Sequence, residues 1–282
     1  MTDKTRVFVV LDPTCMEQAA LEWGEQIARE FGTGGGAEVV LHVYCCINGD
    51  TVAMALDEDS AHSQVATEDR VRGWLDRLVA SPRADGLEVE TEVEWHDDWR
   101  KAIVVAAERC KSALVVKNMT QHTRFIRMVR ETSDWTLIRE SASPVLLVKT
   151  GRPYGIKKVL VAIKHNPEGD VYEQANDDIL ATARQLTANL GAEMHVVAAY
   201  ADTGGQPDRQ RFADRCGLER SQVSAAIGSP EKVIAETAER QEADLLIIAR
   251  VANPDSPKDL GGTARYVVDE IDTEVLIVPV GG

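Results

Sequence analysis

Apolar and polar positions along this chain set out one series of elements and then set it out again. A β-branched run at residues 7–11 leads into helical spacing, with Ala19, Ala20, Trp23, Ile27, Ala28 and Phe31 on one face. A second β-branched run at 159–163 leads into Ile179, Ala183, Leu186 and Leu190 at the same spacing, closed by Gly191 as a helix C-cap. Further on, "GAEVVLHVY" answers "GAEMHVVAAY", "AIVVAAERCKSALVVKN" answers "VIAETAERQEADLLIIA", and "SPVLLVK" answers "TEVLIVPV". An internal period this long is the mark of a duplicated module.

Each half predicts five strands alternating with helices. The predicted strands are near-continuous apolar runs, as strands covered on both faces are. Alternation at this spacing gives βαβ units and a parallel sheet, so the expected fold is α/β, two tandem doubly wound five-stranded parallel sheets. "KTGRPYGIKK" holds two glycines and a proline between the halves and reads as the linker, giving domains at 1–150 and 157–282. Ligands in such sheets bind beyond the carboxyl ends of the strands. Those ends are expected at Asp12, Tyr44, Trp95 and Asn118 in the first half, and at Lys164, Tyr200, Ile227 and Ala249 in the second.

Charge narrows the partners. The net charge is −15, divided as −8 and −7 between residues 1–150 and 151–282, which opposes binding to nucleic acid or an anionic membrane. No run approaches the roughly 18–20 apolar residues of a membrane span. The N-terminal "MTDKTRVFVVLD" goes straight into a strand without a signal-peptide layout, so the expected location is cytoplasmic. Five scattered cysteines predict reduced thiols. Cys45 and Cys46 are neighbours in a strand and point to opposite faces, which suits buried thiols better than a zinc site completed by His42 or His62.

Motifs of catalysis are missing. The chain has no G-x-x-x-x-G-K-[ST], no G-x-S-x-G, no C-x-x-C and no H-E-x-x-H. In "EWHDDW", Asp97 or Asp98 is placed to cap the next helix, with Trp99 in its first turn. Asp12 can accept hydrogen bonds from a base or ribose, or cap a helix beginning near Met16. Arg124, Arg127 and Arg130 recur three apart, on one broad helical face that suits an anion or a set of surface ion pairs.

The blocks "VVLDPT", "WHDDW", "VVKN", "TSDWTLIRESASPVLLVK" and "RPYGIKKVLVAI" resemble the universal stress protein family in its tandem form, over almost the whole chain. The resemblance implies that family's fold, shared with adenine nucleotide α-hydrolases, and ATP as the candidate cofactor. It implies an Asp at the end of the first strand and a loop of pattern G-x2-G-x9-G-[ST]. Carried over, the second-half loop reads Ala249-x2-Ala252-x9-Gly262-Thr263, or places its third glycine on Gly261. Val43 falls on the nucleotide side of the second strand. Asp12 is the family's Asp, while its second-half equivalent is Lys164. The first-half loop has Asn118 and Gln121 at the early glycine positions and Glu131-Thr132 at the late one. Three readings stay open: a non-catalytic stress regulator or scaffold with degraded ATP motifs, an adenine-nucleotide binder using the second-half loop, and a slow nucleotide hydrolase. The resemblance further implies that the fifth strands, 145–148 and 275–278, pair the two domains, and that the chain self-associates as a homodimer.

Overall fold

β-branched and apolar runs become strands, and the amphipathic stretches between them become helices, in two units that repeat one plan. The computed structural model describes residues 4–35, 38–49, 64–119, 133–149, 151–167, 170–251 and 262–280. The units are Met1–Tyr154 and Gly155–Gly282.

The N-terminal unit runs β1 (Thr5–Leu11), α1 (Ala19–Gly35), β2 (Val39–Ile47), α2 (Gln64–Leu78), a short α3 (Ala80–Ala84), β3 (Glu88–Trp95), α4 (Trp99–Arg109), β4 (Leu114–Asn118), α5 (Ser133–Glu140) and β5 (Val145–Val148). The C-terminal unit runs β6 (Lys158–Ala162), α6 (Asp170–Leu190), β7 (Glu193–Tyr200), α7 (Arg209–Cys216), β8 (Val223–Ile227), α8 (Pro230–Gln241), β9 (Leu245–Val251), α9 (Gly262–Glu270) and β10 (Glu274–Val280). Strand order is β3-β2-β1-β4-β5 in the first and β8-β7-β6-β9-β10 in the second. Every described pairing within a unit is parallel. The order reverses direction between β1 and β4, and again between β6 and β9, which is where sheets of this kind open a crevice.

The duplication reaches into the backbone. Lys111 and Glu242 both sit at φ 52°, each three residues before the next strand. Each ends its helix in the same way: Ser112 N donates to Ala107 O, and Ala243 N to Ala238 O. A left-handed residue other than glycine costs about 1–2 kcal/mol, and both units carry it at the same point. Gly191, at φ 62°, is the left-handed residue after α6, as the helical spacing predicts.

The cores follow the predicted faces. Ala20, Trp23, Ile27 and Ala28 of α1 are all at most 2% exposed, whereas Phe31, expected on the same face, is half-buried in the helix's last turns. Gly24 lies between them, and a Cβ added there would come 2.3 Å from Val9 Cγ2. The helix therefore rests on the sheet with no room for a side chain at that point. Tyr154, the last residue of the first unit, packs edge-on against Trp23 and donates its hydroxyl to Glu30.

Each unit guards an outer strand with an arginine. Arg209, in the first turn of α7, donates through both Nε (3.3 Å) and NH2 (3.1 Å) to the carbonyl of Val223 on β8. Arg83, in α3, reaches the carbonyl of Val89 and the hydroxyl of Thr91 on β3, 3.5 Å from each, while its other nitrogen pairs with Asp76 at 2.9 Å. Exposed edge carbonyls are templates for strand addition, and a charged side chain laid across them blocks it.

Candidate functional site

The carboxyl ends of the strands are the place to look, and in the N-terminal unit the polar groups there are tied to one another. β1 ends at Leu11, and Asp12 follows. Its carboxylate Oδ1 accepts from Thr14 N at 2.9 Å and from Thr14 Oγ1 at 2.6 Å, forming a turn on its own loop. The expected helix start near Met16 is corrected to Ala19. The cap comes from elsewhere: Asn118, the last residue of β4, accepts from Ala20 N at 2.5 Å and donates to Glu17 O at 3.0 Å. Gln18 closes the turn from inside, donating to Asp12 O at 2.6 Å and Cys15 O at 2.8 Å. The Cys15 thiol is pushed up, by burial first and by the nearby Asp12 carboxylate second.

Beneath them lies a buried ion pair. Lys117 Nζ donates to Asp134 Oδ1 at 2.7 Å and to Asn118 O at 3.2 Å, and both charged residues are only 5% exposed. Lys117 is held by β4 and Asp134 by the first turn of α5. Strand register identifies the matching positions of the second unit. Val7 pairs with Leu114 and Val159 with Leu245, which sets Lys117 against Ile248. Val115 pairs with Val145 and Leu246 with Val275, and counting back along the chain sets Asp134 against Ala264. Ile248 is 4% exposed and Ala264 6%, so the second unit buries apolar side chains at the positions where the first buries charge.

The second unit uses the same amide clamp in another form. Buried Asn176 of α6 accepts from Lys164 N at 3.0 Å and donates to Lys164 O at 2.7 Å. The Lys164 ammonium lies 4.1 Å from the centre of the Tyr172 ring. β6 ends at Ala162, so Lys164 lies two residues past the strand; β2 runs on to Ile47 and β9 to Val251, correcting the expected ends at Tyr44 and Ala249. Ala249 is half-buried within β9, and Val43 is fully buried in the middle of β2 with its side chain in the core. Thr263 is half-buried in the first turn of α9, which Gly262 begins. Burial pushes the half-buried Arg250 guanidinium down from its ordinary value. Ala252, Gly261, Arg124, Arg127, Arg130, Gln121, Glu131, Thr132 and His62 lie outside the described residues.

One charged cluster was not read from the sequence. "EVETEVEW" alternates, so Glu88, Glu90, Glu92 and Glu94 share one face of the outer strand β3. Lys4 meets Glu88 at 2.6 Å, Arg6 pairs with Glu90, and Arg109 pairs with Glu92. His42 stands between two of them, Nδ1 3.2 Å from Glu90 and Nε2 3.0 Å from Glu92, and Tyr44 donates to Glu94 at 2.8 Å. A cavity of about 570 Å³ opens beside these groups, between the start of β1 and the end of α4. The signal was the two-residue period of glutamate; what faces it comes from β1, β2 and α4, which no local pattern reveals. Burial pushes the Cys45 and Cys46 thiols up, Cys46 to about 11, so neither is a ready nucleophile at neutral pH.

The Arg6 guanidinium holds Glu90 below the ordinary carboxylate range, with a smaller contribution from His42. A depressed carboxylate stabilises the fold above its unfolded pKa near 4.5 and loses that contribution as pH falls through the lower folded value. Acid unfolding followed from pH 6 to pH 2 is expected to begin earlier in Glu90→Gln than in the native chain. Coincident curves would place this pair among exposed ion pairs of no consequence.

The "EWHDDW" junction resolves as a cap. Asp98 Oδ1 accepts from Lys101 N at 3.4 Å, and Asp98 N donates to His96 Nδ1 at 3.0 Å. No group of His, Cys, Asp and Glu among the described residues is arranged to hold a metal ion, and no described helix is long and apolar enough to cross a membrane.

Sequence comparison identifies one family. The sequence model of the universal stress protein family matches twice, at residues 4–149 and 155–279. The chain is 26% identical to the universal stress protein E homolog of Haemophilus influenzae, over 96% of each chain. It is also 26% identical to universal stress protein E of Escherichia coli, over 96% of this chain and 93% of that one. A protein of unknown function from Pseudomonas aeruginosa superposes with a TM-score of 0.76 at 22% identity, covering 98% of this chain and 93% of that one. A universal stress protein from Archaeoglobus fulgidus superposes with a TM-score of 0.73 at 16% identity, covering 99% and 98%.

Proposed function

The chain belongs to the universal stress protein family, whose domain it carries twice, and from that premise we propose that it is a cytoplasmic regulatory or scaffold protein of the stress response that binds rather than catalyses. The observation that carries this reading is where the polar side chains at the strand ends are engaged. Asp12, Gln18, Lys117, Asn118 and Asp134 bond to the protein's own loops and helix starts, and Asn176 does the same in the second unit. A nucleotide-binding cleft keeps such groups for its ligand. Alanine at Ala249 and Ala252, where the family pattern has glycine, removes the backbone freedom that a close phosphate approach uses. On this reading the partners are proteins or small molecules other than ATP, a second copy of the chain among them.

The test is thermal unfolding with ATP and Mg²⁺. A ligand at 100 times its Kd stabilises by about 2.7 kcal/mol, several degrees for units of this size. The expected shift at millimolar ATP is below about 1 °C, with phosphate release no faster than in a blank. A shift of several degrees, or release that scales with protein concentration, would refute the reading.

A further inference from the structure

The buried pair at the end of β4 does more than fill space. An ammonium 95% removed from water needs an anion beside it, and unpaired it is strongly destabilising. The only carboxylate given to Lys117 among the described contacts is Asp134, at 2.7 Å. Asp134 is not a neighbour in sequence. It arrives on α5, 17 residues further along the chain, and its carboxylate lies where β4 ends at the mouth of the sheet. Around it the neighbouring groups are closed off as well: Asn118 spans to α1, and Gln18 holds Asp12. In the second unit the matching positions are Ile248 and Ala264, with neither the cation nor the carboxylate.

We propose that Lys117 is an anion-binding centre of the N-terminal unit that the protein fills with its own Asp134, a tethered carboxylate standing where a small carboxylate or phosphate would otherwise bind. The unit therefore carries a latent anion site, and Asp134 decides that nothing external enters it. This deepens the binding reading given above and rests on it. The second unit carries the apolar Ile248 and Ala264 at the matching positions.

Chemical rescue tests this directly. Asp134→Ala removes the tethered carboxylate and leaves a space about the size of formate beside Lys117. In chloride buffer its thermal midpoint is expected to fall by roughly 10 °C. Sodium formate at the same ionic strength should restore at least half of that loss. Native protein should show no formate-specific shift, and neither should the Lys117→Ile/Asp134→Ala double variant, which copies the second unit. If Asp134→Ala responds equally to formate and chloride, the proposal fails. It fails too if formate or phosphate stabilises the native chain in a way that Lys117→Ile abolishes, because the site would then be open. Should Asp134→Ala not fold in chloride, refolding yield becomes the readout. Recovery only in formate supports the latent site, and equal failure in both salts overturns it. An ATP shift in the native chain would refute the non-nucleotide reading without altering the formate result, so the two failures can be told apart.

Discussion

Gly24→Leu is expected to unfold the N-terminal unit. The added Cβ alone would stand 2.3 Å from Val9 Cγ2 and 3.4 Å from Leu41 Cδ1. Neither neighbour can step aside, because Val9 and Leu41 are both fully buried in the central strands, and valine is stiff about χ1. Even Gly24→Ala sets two effects against each other. Alanine gains about 1 kcal/mol in helix propensity over glycine. Overpacking a tight core costs about 1–3 kcal/mol, and at 2.3 Å the contact is closer than real Cβ atoms tolerate, so the clash wins. Gly24→Leu is expected to exceed that range, with a loss above about 3 kcal/mol. Urea unfolding followed by circular dichroism measures both. A Gly24→Ala chain more stable than the native one would mean that α1 does not rest on the sheet as closely as described.

The second large effect is Lys117→Met. The side chain keeps its length and loses its charge, leaving the buried Asp134 carboxylate without the Lys117 ammonium. Breaking a buried pair from one side costs about 3–5 kcal/mol, while replacing both partners by apolar groups is often near neutral. Hence the Lys117→Ile/Asp134→Ala chain should recover most of what Lys117→Met loses, since the second unit buries Ile248 and Ala264 at the matching positions. Denaturant midpoints of the three chains decide it. A loss below about 1 kcal/mol for Lys117→Met would show that water reaches the carboxylate.

These two residues also mark where reading from sequence succeeded and where it stopped. The strands, their parallel pairing and the duplication were legible because burial on both faces writes unbroken apolar runs, and because the halves share whole blocks such as "SPVLLVK" and "TEVLIVPV". The face of α1 was legible from Ala20, Trp23, Ile27 and Ala28. Gly24 was passed over, although Ala20, Gly24 and Ala28 form a stripe of small residues four apart, the mark of a helix pressed close to its neighbour. Lys117 was visible as a lysine following an apolar run, but its partner lies 17 residues on, beyond the reach of any local pattern. Asn118 was assigned to a lost glycine motif, whereas it caps α1 from across the sheet; that role depends on which strand end comes near which helix start, and only the folded chain supplies it. Asp12 was open between ligand and cap; its carboxylate folds its own loop, and α1 begins later than expected, at Ala19.

The guanidinium groups laid over β3 and β8 bear on how this protein behaves when crowded. A sheet with a bare outer rim grows by accretion, one chain handing its register to the next, and does so fastest when concentration rises or neighbouring proteins lose their shape. With the Val223 carbonyl taken twice by Arg209, and that of Val89 reached by Arg83, β8 and β3 each offer an incoming strand a positive charge in place of an acceptor. Strand addition at β3 and β8 is thereby disfavoured, while the other faces of the molecule stay open to partners.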